Sequence, residues 1–115
     1  MLYQEAGYFG ILMSLAGIAG KINRGRQSEA FTVAVDNTTT YQLLSANSQR
    51  IAAIISNTSG QTIYISLGDQ TNLPIEILDK GALQIDVNFP WTGFVYAKGA
   101  SATPGNVMIQ EISVP

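Results

Sequence analysis

The side chains able to do chemistry are few, and most sit beside turn signals. Asp69-Gln70-Thr71-Asn72 brings oxygen-bearing side chains together, the donor set a hard cation such as calcium takes. It lacks the alternating Asp/Asn ladder and the distal Glu of an EF-hand loop, so it reads as an ordinary polar loop. Asp79 and Asp86 are candidates for an acid pair. The first falls in the turn signal Asp79-Lys80-Gly81 and the second on the polar side of an alternating run, and solvation accounts for both. Serine-lysine catalysis needs a Ser-x-x-Lys setting or a buried lysine, and nothing here resembles one. With no Cys and no His in 115 residues, disulfides, zinc fingers, thiolate and haem sites and histidine-dependent nucleophiles are excluded. No catalytic, cofactor-binding or metal-ligating residue can be nominated, and no cofactor is expected.

Two further patterns carry weaker chemistry. Asn37-Thr38-Thr39 and Asn57-Thr58-Ser59 match the glycosylation sequon, yet both coincide with turn signals and read as turns. Tyr64, Trp91, Phe94 and Tyr96 are the material of an aromatic sugar-binding platform. Strand parity turns Tyr64 outward and Trp91 lies in a loop, so these two are the candidate surface aromatics. A core edge or a subunit interface is the plainer use of the same rings.

The elements that must position these residues fall into two parts, an N-terminal arm over 1–27 and a body over 28–115. Ala6 to Gly20 is a run of fifteen uncharged residues, too short for the ~20 a membrane-spanning helix needs and weakened by four glycines. Its charges lie on the wrong side for a cleaved secretion signal, because Glu5 precedes the run while Lys21, Arg24 and Arg26 follow it. The segment reads equally as a helix or as an irregular arm. In either form Tyr8, Phe9, Ile11, Leu12, Met13, Leu15 and Ile18 need a cover, and another protein chain would make the arm an assembly device. Lys21, Arg24 and Arg26 form a basic hinge. The arm has a net charge of +2 and the body −4, within a chain total of −2. That balance makes the chain a poor ligand for nucleic acid.

After Ser28 the period is two. Strands are expected over 31–35, 38–44, 50–56, 61–67, 74–78, 82–89, 94–98 and 107–114, separated by Gly, Asn, Asp and Pro turn signals. The run from Arg50 to Ser56 suits a strand buried on both faces or at a sheet centre. With Asn57-Thr58-Ser59-Gly60 and the alternating Thr62 to Leu67 it makes the clearest hairpin in the chain. Short strands at regular spacing without an amphipathic helix predict an all-β body, an antiparallel β-sandwich or jelly-roll-like fold.

The stretch Arg50-Ile-Ala-Ala-Ile-Ile-Ser-Asn-Thr-Ser-Gly-Gln-Thr-Ile-Tyr-Ile-Ser-Leu-Gly68, then Phe89-Pro-Trp-Thr-Gly-Phe-Val-Tyr-Ala-Lys-Gly99 and a final strand from Val107 to Ile112, resembles small β-sandwich virion proteins of tailed bacteriophages. The resemblance covers residues 50–112, leaves the arm aside and brings no catalytic residue with it. It implies a non-enzymatic capsid decoration or cement protein on the virion, made in the host cytoplasm. Its partners would be other virion proteins, the major capsid protein first among them. The same likeness implies a homo-oligomer, a trimer on that analogy. A tail, collar or fibre-base component is the second virion reading, and a carbohydrate-binding β-sandwich module the reading from another class.

Overall fold

A computed structural model describes residues 27–115; the arm residues from Tyr8 to Ile18 and the hinge residues Lys21, Arg24 and Arg26 lie outside the described residues. Eight strands follow one another: β1 (Gln27–Val35), β2 (Tyr41–Leu44), β3 (Arg50–Asn57), β4 (Ile63–Leu67), β5 (Ile75–Ile77), β6 (Ala82–Ile85), β7 (Val95–Gly99) and β8 (Gly105–Ser113). Each expected strand is present, and β1 begins at Gln27, one residue inside the segment assigned to the arm.

The strands form two four-stranded sheets, ordered β1-β8-β3-β6 and β2-β7-β4-β5, with every pairing antiparallel. The pairings β1 with β8, β2 with β7, β3 with β6 and β4 with β5 count inward from the two ends of the chain. The chain is thus one long hairpin, doubled at the β4–β5 loop and rolled until β8 meets β3 and β7 meets β4. This is the topology of a jelly roll, one form of β-sandwich. Rolling removes most free edges and leaves one inner face per sheet to fill the core.

The core follows from the period. Val35 of β1, Ile55 of β3, Ile63 and Ile65 of β4, Ile85 of β6, Val95 of β7 and Val107 and Ile109 of β8 are all at most 2% exposed. Each such side chain contributes about 1.5–3 kcal/mol of burial. In β2 a bulge between Gln42 and Leu44 lets both Leu43 and Leu44 point inward.

Two expectations are corrected and a third is narrowed. The segment Arg50 to Leu67 is no hairpin, because β3 pairs with β8 and β6 while β4 pairs with β7 and β5. Residues 58–62 carry the chain across the core from one sheet to the other, and turn residues serve an arch as well as a hairpin. Of the two settings expected for β3 the sheet centre is the one found: it lies inside its sheet, and its outer face is open at Ile54, 44% exposed. The run from Ala82 to Phe89 stops being a strand at Ile85. There Asp86 Oδ1 accepts the N–H groups of Asn88 (2.8 Å) and Phe89 (3.1 Å), and the turn leaves Val87 exposed.

Candidate interaction surface

Strand β3 carries a polar residue at each end, and both are buried. Arg50 is the only buried cation among the described residues. Its Nε donates to Glu111 Oε2 at 2.6 Å, Nη1 to the carbonyls of Trp91 (2.9 Å) and Gly93 (3.0 Å), and Nη2 to the carbonyl of Ser45 (2.5 Å). One guanidinium therefore ties together the β2–β3 loop, the β6–β7 loop and β8. Asn47 completes the node, donating to Glu111 Oε2 (3.1 Å) and Ser113 Oγ (2.8 Å). Buried charge is tolerated here because the donors are spent on fixed acceptors.

At the other end Asn57 is fully buried. Its Nδ2 donates to the carbonyls of Gln61 (2.8 Å) and Ile77 (2.9 Å), and its Oδ1 accepts from the Ser59 N–H and hydroxyl. Its backbone N–H donates to the Gly81 carbonyl (2.8 Å), and its carbonyl accepts the Lys80 N–H (2.7 Å). A side chain with no exposure and every polar atom engaged holds the arch closed and is no glycan acceptor in the folded chain.

The carboxylates considered for metal or acid chemistry are occupied locally. Asp69 Oδ1 accepts from Thr71 N–H (2.8 Å), Thr71 Oγ1 (2.9 Å) and Asn72 N–H (3.3 Å). These bonds, the Thr71 backbone first, hold its carboxyl below the usual 3.8. Asp36 is lowered in the same way by the Thr38 hydroxyl, the Thr38 N–H and the Tyr41 hydroxyl. Asp79 accepts the Gly60 N–H (3.0 Å), whereas Asp86 caps its own turn. Among the described residues no group of three or more acidic side chains is placed to hold a metal ion. No helix among them is long and apolar enough to cross a membrane.

The aromatic candidates separate. Tyr64 stands outward on β4, 37% exposed, with Lys98 of β7 and Glu76 of β5 as its cross-strand partners. Trp91 is partly buried and packs against the core; its Nε1 donates to the Phe94 carbonyl (2.8 Å), and the ring edge lies against Gly68 and Gly93. Phe94 stacks on Tyr96, with centroids 5.9 Å apart and planes 15° apart. Gln70 donates to the Tyr96 hydroxyl (3.1 Å), tying the β4–β5 loop to this pair.

The two outer faces differ in charge. The β2-β7-β4-β5 sheet carries the row Lys98-Tyr64-Glu76. On the β1-β8-β3-β6 sheet the rows in register are Ala30-Gln110-Ile54-Gln84 and Thr32-Met108-Ser56-Ala82, flanked by Ser28-Ile112-Ala52. None of these eleven positions is charged. Ile54 is 44% and Met108 52% exposed on this face. Asp86 lies past the end of β6, where it accepts from Gln84 Nε2 at 2.9 Å, so a carboxylate borders the face.

From sequence Asn57 reads only as a sequon and turn residue and Arg50 only as the head of a strand, so neither buried role is foreseen, and this face is not foreseen at all. A lone arginine at the head of an Ile-rich run and the Ser56-Asn57 pair at its tail were signals for the first two. The face was unreadable without strand order, because it joins residues as distant as Ser28 and Ile112. Set against known protein families and against characterised proteins, the chain matches none.

Proposed function

We propose that the protein is a non-enzymatic virion structural protein, a decoration or cement protein that binds the phage capsid and stabilises subunit contacts through its jelly-roll body and its N-terminal segment. The observation that carries the reading is the outer face of β1-β8-β3-β6, uncharged and set with exposed Ile54 and Met108. An uncharged face with exposed Ile and Met side chains is surface available for protein contact.

Two considerations support it. The most elaborate polar constellations, around Arg50 and Asn57, hold loops and expose no reactive group, which favours work by contact over catalysis. The jelly roll is also a recurrent fold of viral capsid and lectin domains, an analogy of fold rather than of site. The major capsid protein is the first partner. A tail, collar or fibre-base position keeps the same chemistry at another place on the particle. A carbohydrate module is the second reading, favoured by Phe94, 41% exposed and stacked on Tyr96.

Particles produced by the genome that encodes the chain test this directly. An antibody to the body should gold-label their heads, and removal of residues 1–26, which leaves β1 whole, should weaken binding to undecorated heads at least about tenfold. Label confined to the tail moves the protein there; absence from the particle rejects the virion reading. A glycan-array signal lost in Phe94→Ala would put the carbohydrate module in its place.

A further inference from the structure

We infer that the open shelf at the start of β1 is the seat of the chain's own basic hinge, with the cations of Lys21, Arg24 and Arg26 set against Glu29 and Glu111. The inference does not rest on the virion reading, since it concerns the free chain with no particle present.

The shelf follows from strand length. Strands β1 and β8 have nine residues each, whereas β2 and β7, the strands of the other sheet that β1 meets, have four and five. The first four residues of β1 are exposed on both sides. The period that turns Phe31, Val33 and Val35 inward puts Glu29 on the inner face, and Glu111 joins it there two positions beyond Ile109. Two hollows of about 420 and 490 Å³ open at this place, and Glu29, Asn47 and Glu111 border both. Each is many times the ~30 Å³ of a water molecule, so they have room for side chains.

Charge and tether select the occupant. Glu29 and Glu111 are direct cross-strand partners, where like charges repel. Only one cation is at hand: Arg50 binds Glu111 Oε2 and spends its other donors on three carbonyls. Among the described residues none donates to Glu111 Oε1 or to the carboxylate of Glu29. The other cations of the body are remote, Lys80 in the β5–β6 turn beside Asp79 and Lys98 on the other sheet beside Tyr64. Lys21, Arg24 and Arg26 stand eight, five and three positions before Glu29. A tether that short holds the hinge at roughly millimolar effective concentration or above, and Gly25 between the two arginines permits a reversal of the backbone. Seated on the shelf, the hinge fixes where the apolar segment leaves the body, beside the β2–β3 loop, and makes that exit sensitive to ionic strength.

Nitrogen-15 relaxation and zero-length carbodiimide coupling on the full chain read the outcome. Heteronuclear NOE values of residues 21–26 should match those of β1 at low salt and fall in 1 M sodium chloride, where the screening length is ~3 Å. In Arg24→Lys, carbodiimide should join the new ammonium to Glu111 as an amide. Adding Glu29→Gln should lower that yield about twofold to fivefold, the worth of one exposed pair, and adding Glu76→Gln should not. Glu29 is exposed, and far-UV circular dichroism checks that its variants fold; Glu111 stays unsubstituted because it holds Arg50. Glu29→Lys should free the hinge, and Arg24→Glu with Arg26→Glu in the same chain should seat it again. A hinge equally mobile at low and high salt, no Glu111 link, or a link indifferent to Glu29→Gln overturns the inference and leaves Glu29 as a guard of the β1 edge. Links formed only between isotope-labelled and unlabelled copies overturn it in favour of another chain's hinge. Calcium chloride that shifts the Glu29 and Glu111 signals while the hinge stays mobile overturns it in favour of a cation site.

Discussion

Arg50 shows how much of this fold rests on one side chain. Its four acceptors come from the carbonyls of Ser45, Trp91 and Gly93 and the carboxylate of Glu111, all presented to a guanidinium with no exposed surface. Removing one partner of a buried ion pair leaves the other charge uncompensated. Arg50→Ala should therefore lose about 3–5 kcal/mol in urea unfolding. Lysine keeps the charge but not the planar fork, so Arg50→Lys should fall between the two. The pair Arg50→Met with Glu111→Leu should recover most of the loss, because no orphaned charge remains. A double variant as unstable as Arg50→Ala would mean that the three carbonyls, rather than the ion pair, dominate the node.

At the scale of elements, the arch from β3 to β4 is the feature the chain's periodicity misread as a hairpin. Asn57 closes it from within, and Thr58 Oγ1 reaches across to the Asn106 carbonyl (2.7 Å), so the arch is braced against the start of β8. Gly105 stands at that brace. A Cβ there would lie within 2.9 Å of Ser59 Cα and closer still to the Ser59 carbonyl, and backbone cannot swing away as a side-chain end can. Gly105→Ala should thus cost about 1–3 kcal/mol as overpacking, visible as a lower thermal midpoint. An unchanged midpoint would show that the arch moves freely from β8. Strand existence was legible because alternating Ile, Val and Leu with polar residues specifies a half-buried strand. Strand partners were not, because a hairpin and an arch ask for the same turn residues and the same alternation.

For the whole molecule, the acidic turns link stability to pH. Asp36 and Asp69 have carboxyls lowered below 3.8 by hydrogen bonds made in the folded chain. A group whose folded value is depressed contributes stability that is present above its unfolded value and lost as pH falls through the folded one. The thermal midpoint should hold from neutrality to about pH 4 and decline below it. Asp36→Asn with Asp69→Asn keeps an acceptor oxygen at each turn without a titrating group, so its decline below about pH 4 should be shallower. Parallel acid limbs would mean that other groups set the acid sensitivity.

The amino-acid order by itself determined the all-β class, the strand number to within one and which side of most strands is buried. It also determined the chemistries excluded by missing Cys and His, because these depend on residue type and on a local period of two. Tertiary structure alone decided that β3 and β4 part company into different sheets and that Arg50 meets Glu111 sixty-one positions away. It likewise assembled the uncharged face from β1, β8, β3 and β6. A strand's period states which side must be dry but not which strand lies across from it. That choice belongs to the rolling of the whole hairpin, in which each partner is counted from the opposite end of the chain.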